Sequence, residues 1–190
     1  MKVSIVFHSV SGNVYLMAKE IQDNLMSLGI ESKMLRVYDE DLEKLSNEME
    51  VIKEFYEEIS NIPIVTLEDI LESDYVFMGT PTYFGNVSAE LKVFMDSFAP
   101  LWAESKLFGK NLISFASCGT INGGGEQALY AVNTFGQHMG MRTVSIPSTI
   151  YTDKYNCAYG MLHCCGGNGD KRIDEEGKKY IKDVVKKIFT

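Results

Sequence analysis

Apolar runs of strand length alternate with helix-period segments along the whole of this chain, and that alternation limits its fold more than any other feature. It predicts repeated βαβ units and a parallel sheet, because parallel neighbours need a long crossover between them, usually a helix. Lys2 to Phe7 reads as the first strand. Asn13 to Leu28 then sets Val14, Met17, Ala18, Ile21, Leu25 and Leu28 on one helical face, and Gly29 stops the helix. Glu31 to Val37 alternates as a second strand, Tyr75 to Met78 is a third, Asn111 to Ala116 a fourth and Thr143 to Ile146 a short fifth. Helices are expected over Val87 to Phe98, Glu126 to His138 and Asp174 to Ile188. The acidic stretch Asp39 to Ser60 keeps a helical stripe through Leu42, Leu45, Met49, Ile52, Phe55, Tyr56 and Ile59, as expected of a solvated helix covering a sheet edge. Tyr151 to Lys171 is rich in glycine and turn formers. With no linker, repeat or low-complexity tract, 190 residues that are 45% hydrophobic form one domain spanning 1–190.

Five parallel strands with interleaved helices give an α/β, flavodoxin-like three-layer sandwich with sheet order 2-1-3-4-5, whose ligand crevice lies outside the carboxyl ends of strands one and three. The loops after those strands should therefore bind together. After strand three the chain reads Gly79-Thr80-Pro81-Thr82-Tyr83-Phe84-Gly85-Asn86, where glycine and proline flanking small polar and aromatic residues suit backbone laid against a flat ligand. After strand one comes His8-Ser9-Val10-Ser11-Gly12-Asn13-Val14, whose free N–H groups and hydroxyls at a helix start make an anion cradle. Ordinary N-capping by Ser11 or Asn13 explains the same residues equally well. After strand four, Ser117 to Glu126 carries Gly123-x-Gly125-x-x-Ala128. This imitates a dinucleotide fingerprint but falls on the wrong βα turn, and Pro147 and Ser148, not an acidic residue, follow the next strand. Three consecutive glycines are better suited to letting backbone approach a ring edge or a neighbouring subunit.

A formal charge of −8 and a pI near 4.9 leave no positive face with which to displace counterions, so nucleic acid and anionic membrane are excluded as partners. No apolar run approaches the roughly 20 residues of a spanning helix, and Met1 to Phe7 enters a strand without a charged leader. A cytoplasmic location is expected. Cys118, Cys157, Cys164 and Cys165 fit a reducing compartment better than a disulfide framework.

Taken in order, Ser9 to Val14, Ile62 to Thr66, Gly79 to Ser88, Leu101-Trp102-Ala103 with Gly109-Lys110, Gly119-Thr120 with the glycine run, His138 to Met141, and Tyr159-Gly160 through Gly166 to Asp170 resemble the Trp-repressor-binding-protein (WrbA) family of flavodoxin-like NAD(P)H:quinone oxidoreductases. The resemblance runs nearly end to end, and Thr-Pro-Thr-x-Phe-Gly-Asn is its most specific motif. It implies FMN as cofactor, NADH or NADPH as electron donor and a quinone-type small acceptor. It implies that Ser9, Val10, Ser11, Gly12, Asn13 and Val14 hold the phosphate, and that Pro81, Thr82, Tyr83, Phe84, Gly85 and Asn86 lie against the flavin. Ser117, Cys118, Gly119, Thr120 and Gly123 would border its pyrimidine edge, and His138 would approach it. Trp102 would line the substrate pocket, although an only tryptophan is as readily a core or subunit-interface residue. A homodimer or homotetramer is implied. The chain departs from the family at Ser11, where the family carries tyrosine, at Tyr83, where it carries arginine, and in the longer acidic segment 39–60.

No covalent side-chain nucleophile is expected, since the cofactor carries the chemistry. Cys157, His163, Cys164 and Cys165 are soft donors, but adjacent cysteines lack the usual CxxC bite, and no metal is assigned to them. The alternative reading is a flavodoxin-like electron carrier that hands electrons to a protein redox partner, for which an acidic surface is suited.

Overall fold

The computed structural model describes residues 1–190. Strand β1 (Val3–Phe7) leads through helix α1 (Asn13–Ser27) to β2 (Ser32–Arg36), and α2 (Leu42–Glu48), α3 (Glu50–Ser60) and α4 (Leu67–Glu72) intervene before β3 (Tyr75–Pro81). Helices α5 (Ala89–Asp96) and α6 (Ala99–Ala103) precede β4 (Asn111–Cys118), after which come α7 (Gly125–His138), β5 (Arg142–Thr143), β6 (Met161–Cys164) and α8 (Glu175–Phe189). All pairings are parallel and the sheet order is β2-β1-β3-β4-β5, as the alternation predicts, with β6 also beside β4.

The fifth position of the sheet is shared by two segments. Asn111 and Leu112 of β4 pair with Arg142 and Thr143, whereas Phe115 to Cys118 pair with Met161 to Cys164. The chain leaves the sheet between these two pieces and returns beside the second half of β4, so the turn-rich segment expected over 151–171 contains a strand. The single helical stripe expected over 39–60 is two helices, broken where Met49 adopts an extended backbone (φ −136°, ψ 118°). Helix α4 was not expected; Thr66 and Asp69 close a capping box at its start.

Successive strand residues face opposite layers. Val3, Ile5 and Phe7 of β1 join Phe77, Ile113 and Phe115 under α1, α3 and α8, while Val6, Val76, Met78 and Leu112 join Leu91, Met95 and Val132 under the helices of the other face. The result is a three-layer sandwich whose carboxyl strand ends carry every loop singled out above. No helix is long and apolar enough to cross a membrane.

Candidate functional site

Four loops meet at the carboxyl edge of the sheet around a cavity of about 340 Å³. Val10 and Ser11 enter it from the loop after β1, Pro81, Thr82 and Tyr83 from the loop after β3, and Ser117, Cys118 and Gly119 from the end of β4. The fourth loop, Cys165 to Gly169 after β6, also lines it. A second set of walls comes from the acidic segment: Leu45, Met49, Val51 and Ile52 line the same cavity from α2 and α3. That segment is therefore part of the site and more than a solvated cover.

The loop after β1 is shaped by Gly12 (φ +85°), whose missing side chain leaves room for the Phe55 ring of α3. Neither Ser11 nor Asn13 caps α1. Ser9 Oγ accepts from the Tyr15 N–H at 3.2 Å, and the N–H groups of Ser11, Gly12, Asn13 and Val14 have no backbone acceptor. Four donors at the positive end of a fifteen-residue helix remain for an anion. Asn13 donates to Ser11 Oγ (3.1 Å) and to the Gly169 carbonyl (2.6 Å), which locks the first loop to the fourth, while the Val14 side chain is buried in the core. Arg172 adds a second tie, donating to the Ser11 and Gly169 carbonyls at 2.7 and 2.9 Å, pairing with Glu54 at 2.6 Å and lying over the Phe55 ring.

The loop after β3 is a tight reversal. Tyr83 and Asn86 exchange backbone hydrogen bonds at 3.0 Å, and Phe84 (φ +51°) and Gly85 (φ +74°) form the left-handed tip. Thr82 N–H donates to the Ser117 carbonyl at 2.8 Å, while its buried Oγ1 has no partner. Phe84 projects fully into solvent. The tip rests on the glycine run: a side chain at Gly124 would fall 2.6 Å from Gly85 Cα, and one at Gly125 would strike Leu162. Gly124 and Gly125 thus serve close contacts within the chain.

Electrostatically the site keeps its thiols neutral. Burial, with smaller contributions from Cys164 and Cys165, pushes the Cys118 thiol up to about 12, and burial also raises Cys157 and Cys165. No nucleophilic thiolate is prepared here. His163 is also spoken for, with Nε2 donating to the Lys171 carbonyl at 2.8 Å and Nδ1 taking the Tyr155 hydroxyl at 3.3 Å, and burial lowers its pKa. The Tyr83 phenol is raised by burial first and then by the carboxylates of Glu90 and Asp39.

Two expected members stand apart within one chain. His138 is exposed at the last turn of α7, a helix of fourteen residues that runs away from the cavity toward the edge where Arg142 pairs with Asn111. Trp102 lies beyond α5 on the short α6, is 59% exposed and lines no part of the cavity. Both were matched by motif, and a motif does not report which end of a helix faces a site. Conversely, sequence reasoning passed over the α2–α3 wall, the Arg172 tie, and a cluster around the buried His8, in which Nε2 lies 3.1 Å from Asp39 Oδ2 and Nδ1 lies 3.5 Å from Glu90 Oε2. His8 and Asp39 follow strands one and two directly, a placement readable in the sequence.

The model of the NADPH-dependent FMN reductase family matches residues 1–154. The chain belongs to this family. A protein named NAD(P)H dehydrogenase (quinone) from Trichlorobacter lovleyi is 32% identical over 185 residues, covering 92% of this chain and 88% of its own. One named quinone-oxidoreductase QR2 from Triphysaria versicolor is 34% identical over 202 residues, covering 98% and 96%. Among solved structures, oxidised flavodoxin 2 from Bacillus cereus superposes with a TM-score of 0.66 at 18% identity over all of both chains. A flavodoxin, WrbA-like protein from Agrobacterium tumefaciens does so at 0.59 and 17%, covering 97% of this chain and 95% of that one. These last two share the flavodoxin-like fold with this FMN reductase family member.

Proposed function

We infer that the protein is an FMN-dependent NAD(P)H:quinone oxidoreductase that delivers two electrons to quinones or similar small acceptors. One observation carries this reading: in a chain of the FMN reductase family, loops after β1, β3, β4 and β6 converge on a single cavity beside the unbonded N–H groups that open α1, with the unpartnered Thr82 Oγ1 in its wall. When bound, FMN supplies the chemistry, taking a hydride from a reduced nicotinamide and returning two electrons to the acceptor.

The residues of this chain would hold and enclose it. Ser9, Val10, Ser11, Gly12, Asn13 and Val14 would take the phosphate through the unbonded N–H groups and the dipole of α1. Pro81 to Asn86 on one side, and Ser117, Cys118, Gly119, Thr120 and Gly123 on another, would flank the ring, with Thr82 Oγ1 free to hydrogen-bond its edge. Leu45, Met49, Val51 and Ile52 would keep water from the remaining side, which strengthens each polar contact made inside. The relatives are named for NAD(P)H and quinone, and this supports a nicotinamide donor and a quinone-type acceptor for this chain. Exposed Trp102 and Phe108, both in the stretch between α5 and β4, support a homodimer or homotetramer in which these side chains are covered. The charge of −8 supports the absence of a nucleic-acid partner, and the four free cysteines support a cytoplasmic setting.

Anaerobic stopped-flow on the FMN-loaded protein tests the reading. Full bleaching of flavin absorbance by NADH or NADPH, reversed by a benzoquinone, is the expected result. Tight FMN binding with no reduction by either nicotinamide would overturn it in favour of an electron carrier.

A further inference from the structure

A histidine with one satisfied and one orphaned nitrogen stands beneath the loop that follows β3. His8 is the first residue past β1, is 2% exposed and donates its backbone N–H to the Gly79 carbonyl at 3.1 Å. Its Nε2 lies 3.1 Å from Asp39 Oδ2, while Asp39 Oδ1 accepts the Asp41 N–H at 2.9 Å. Both oxygens of Asp39 act as acceptors, which assigns a proton to Nε2; in the neutral ring Nδ1 then carries the lone pair. That nitrogen is buried and has no hydrogen-bond partner, yet it faces Glu90 Oε2 at 3.5 Å.

A lone pair on the buried Nδ1 and the half-buried Glu90 carboxylate repel at this distance unless something positive lies between them. A proton fits this gap poorly, because charge-assisted N–H···O contacts close to about 2.7–2.9 Å. A metal ion fits well: bonds of about 2.0–2.1 Å to nitrogen and oxygen at a tetrahedral angle set the two donor atoms about 3.3 Å apart. We propose that His8 Nδ1 and the Glu90 carboxylate bind a divalent first-row cation, of the zinc or manganese class, with Asp39 orienting the imidazole from behind.

Three separate elements bring these groups together, since His8 follows β1, Asp39 follows β2 and Glu90 lies in the first turn of α5. Their donor atoms all fall within 4.8 Å of one another. A carboxylate gripping the far nitrogen of a ligating histidine is the arrangement that fixes its tautomer and raises its basicity. Glu90 also borders a cavity of about 480 Å³ that Asp39, Glu40 and Asp41 line as well, giving the ion an acidic entrance and water for its remaining positions. A bound ion would tie α5 to the ends of β1 and β2 and so stiffen the Thr82–Asn86 turn that precedes this helix. The site stands independently of the quinone reductase reading.

The test is a manganese(II) titration of the FMN-loaded protein followed by electron paramagnetic resonance, because manganese favours the Glu90 carboxylate and water and avoids the four cysteines. One ion per chain is expected. Glu90→Gln, a side chain at the cavity rim whose exchange leaves the core intact, should abolish binding, and Asp39→Asn should weaken it by about 10–100-fold. Nitrogen NMR of the ring under saturating zinc should show His8 protonated at Nε2 alone. No binding up to about 1 mM of either ion, equal binding by Glu90→Gln, or a doubly protonated His8 ring in the presence of zinc would each overturn the proposal.

Discussion

Replacing Gly12 by alanine tests whether the acidic segment and the loop after β1 form one unit. Gly12 adopts φ +85°, and a methyl group there would fall 2.2 Å from Cδ2 and 2.8 Å from Cγ of Phe55. Two costs arise and they are separable. A non-glycine residue in the left-handed region costs about 1–2 kcal/mol, and forcing the Phe55 ring aside in a packed contact costs about 1–3 kcal/mol more. Gly12→Ala should therefore lower the stability of the FMN-free protein by about 2–5 kcal/mol, read as a shift in the urea midpoint at unchanged slope. A double-mutant cycle with Phe55→Ala divides the total: with the ring gone, only the backbone cost of about 1–2 kcal/mol should remain. Phe55 also carries Arg172 above its ring, so its displacement should loosen the fourth loop, and FMN affinity should fall with stability. A Gly12→Ala protein within about 0.5 kcal/mol of wild type, or one equally costly with and without Phe55, would refute the reasoning, since values that add signal independent sites.

Ser11→Asp places a carboxylate among the four free N–H groups where a phosphate would sit, so the desalted protein should retain no FMN; stoichiometric flavin absorbance would sink the phosphate-loop assignment. Trp102→Ala should leave FMN binding intact and reduce the oligomer mass in analytical ultracentrifugation, because Trp102 lies outside its own chain's cavity; an unaltered mass with lost flavin would contradict that placement. His163 should weaken the fold as pH falls. Burial depresses its folded pKa, so below the unfolded value of about 6.5 the unfolded chain binds the proton that the folded chain refuses. The stability difference between wild type and His163→Gln should therefore shrink between about pH 7.5 and pH 5.5, and parallel curves would show that the ring titrates freely.

The parts of this fold legible from sequence are those where one local signal decides the outcome. Strands β1, β3 and β4 are largely apolar runs broken mainly by small residues because helices bury both of their faces, and the loops after them announce themselves through glycine, proline and hydroxyl residues. Legibility ends where tertiary contact decides. Met161 to Cys164 is only four residues with a histidine among them, in a glycine-rich setting, and becomes a strand because the second half of β4 needs a partner. Leu67 to Glu72 is too short to display a period, although Thr66 and Asp69 spell out its cap. The helical stripe over 39–60 was visible, yet its break at Met49 was not, since methionine is a good helix former and the extended backbone there serves the cavity it lines.

The acidic segment shows why charge patterning alone misjudged the site. Its outward face carries Glu43, Lys44, Glu48, Lys53 and Glu57, and a solvated helix is what such a face ordinarily means. Its inward face, however, divides its apolar stripe between two tasks. Ile52 and Ile59 are buried in the core under α1, while Leu45, Met49, Val51 and the edge of Ile52 face the cavity. Tyr15 to Glu58, Arg172 to Glu54, and Phe55 over Gly12 then pin the pair of helices to the loop after β1. These three contacts link residues more than forty positions apart, and no local window contains both partners. An enzyme that must admit a flat acceptor yet exclude water needs a wall at this position. Here the wall is built from a segment whose composition, read by itself, belongs to the solvent.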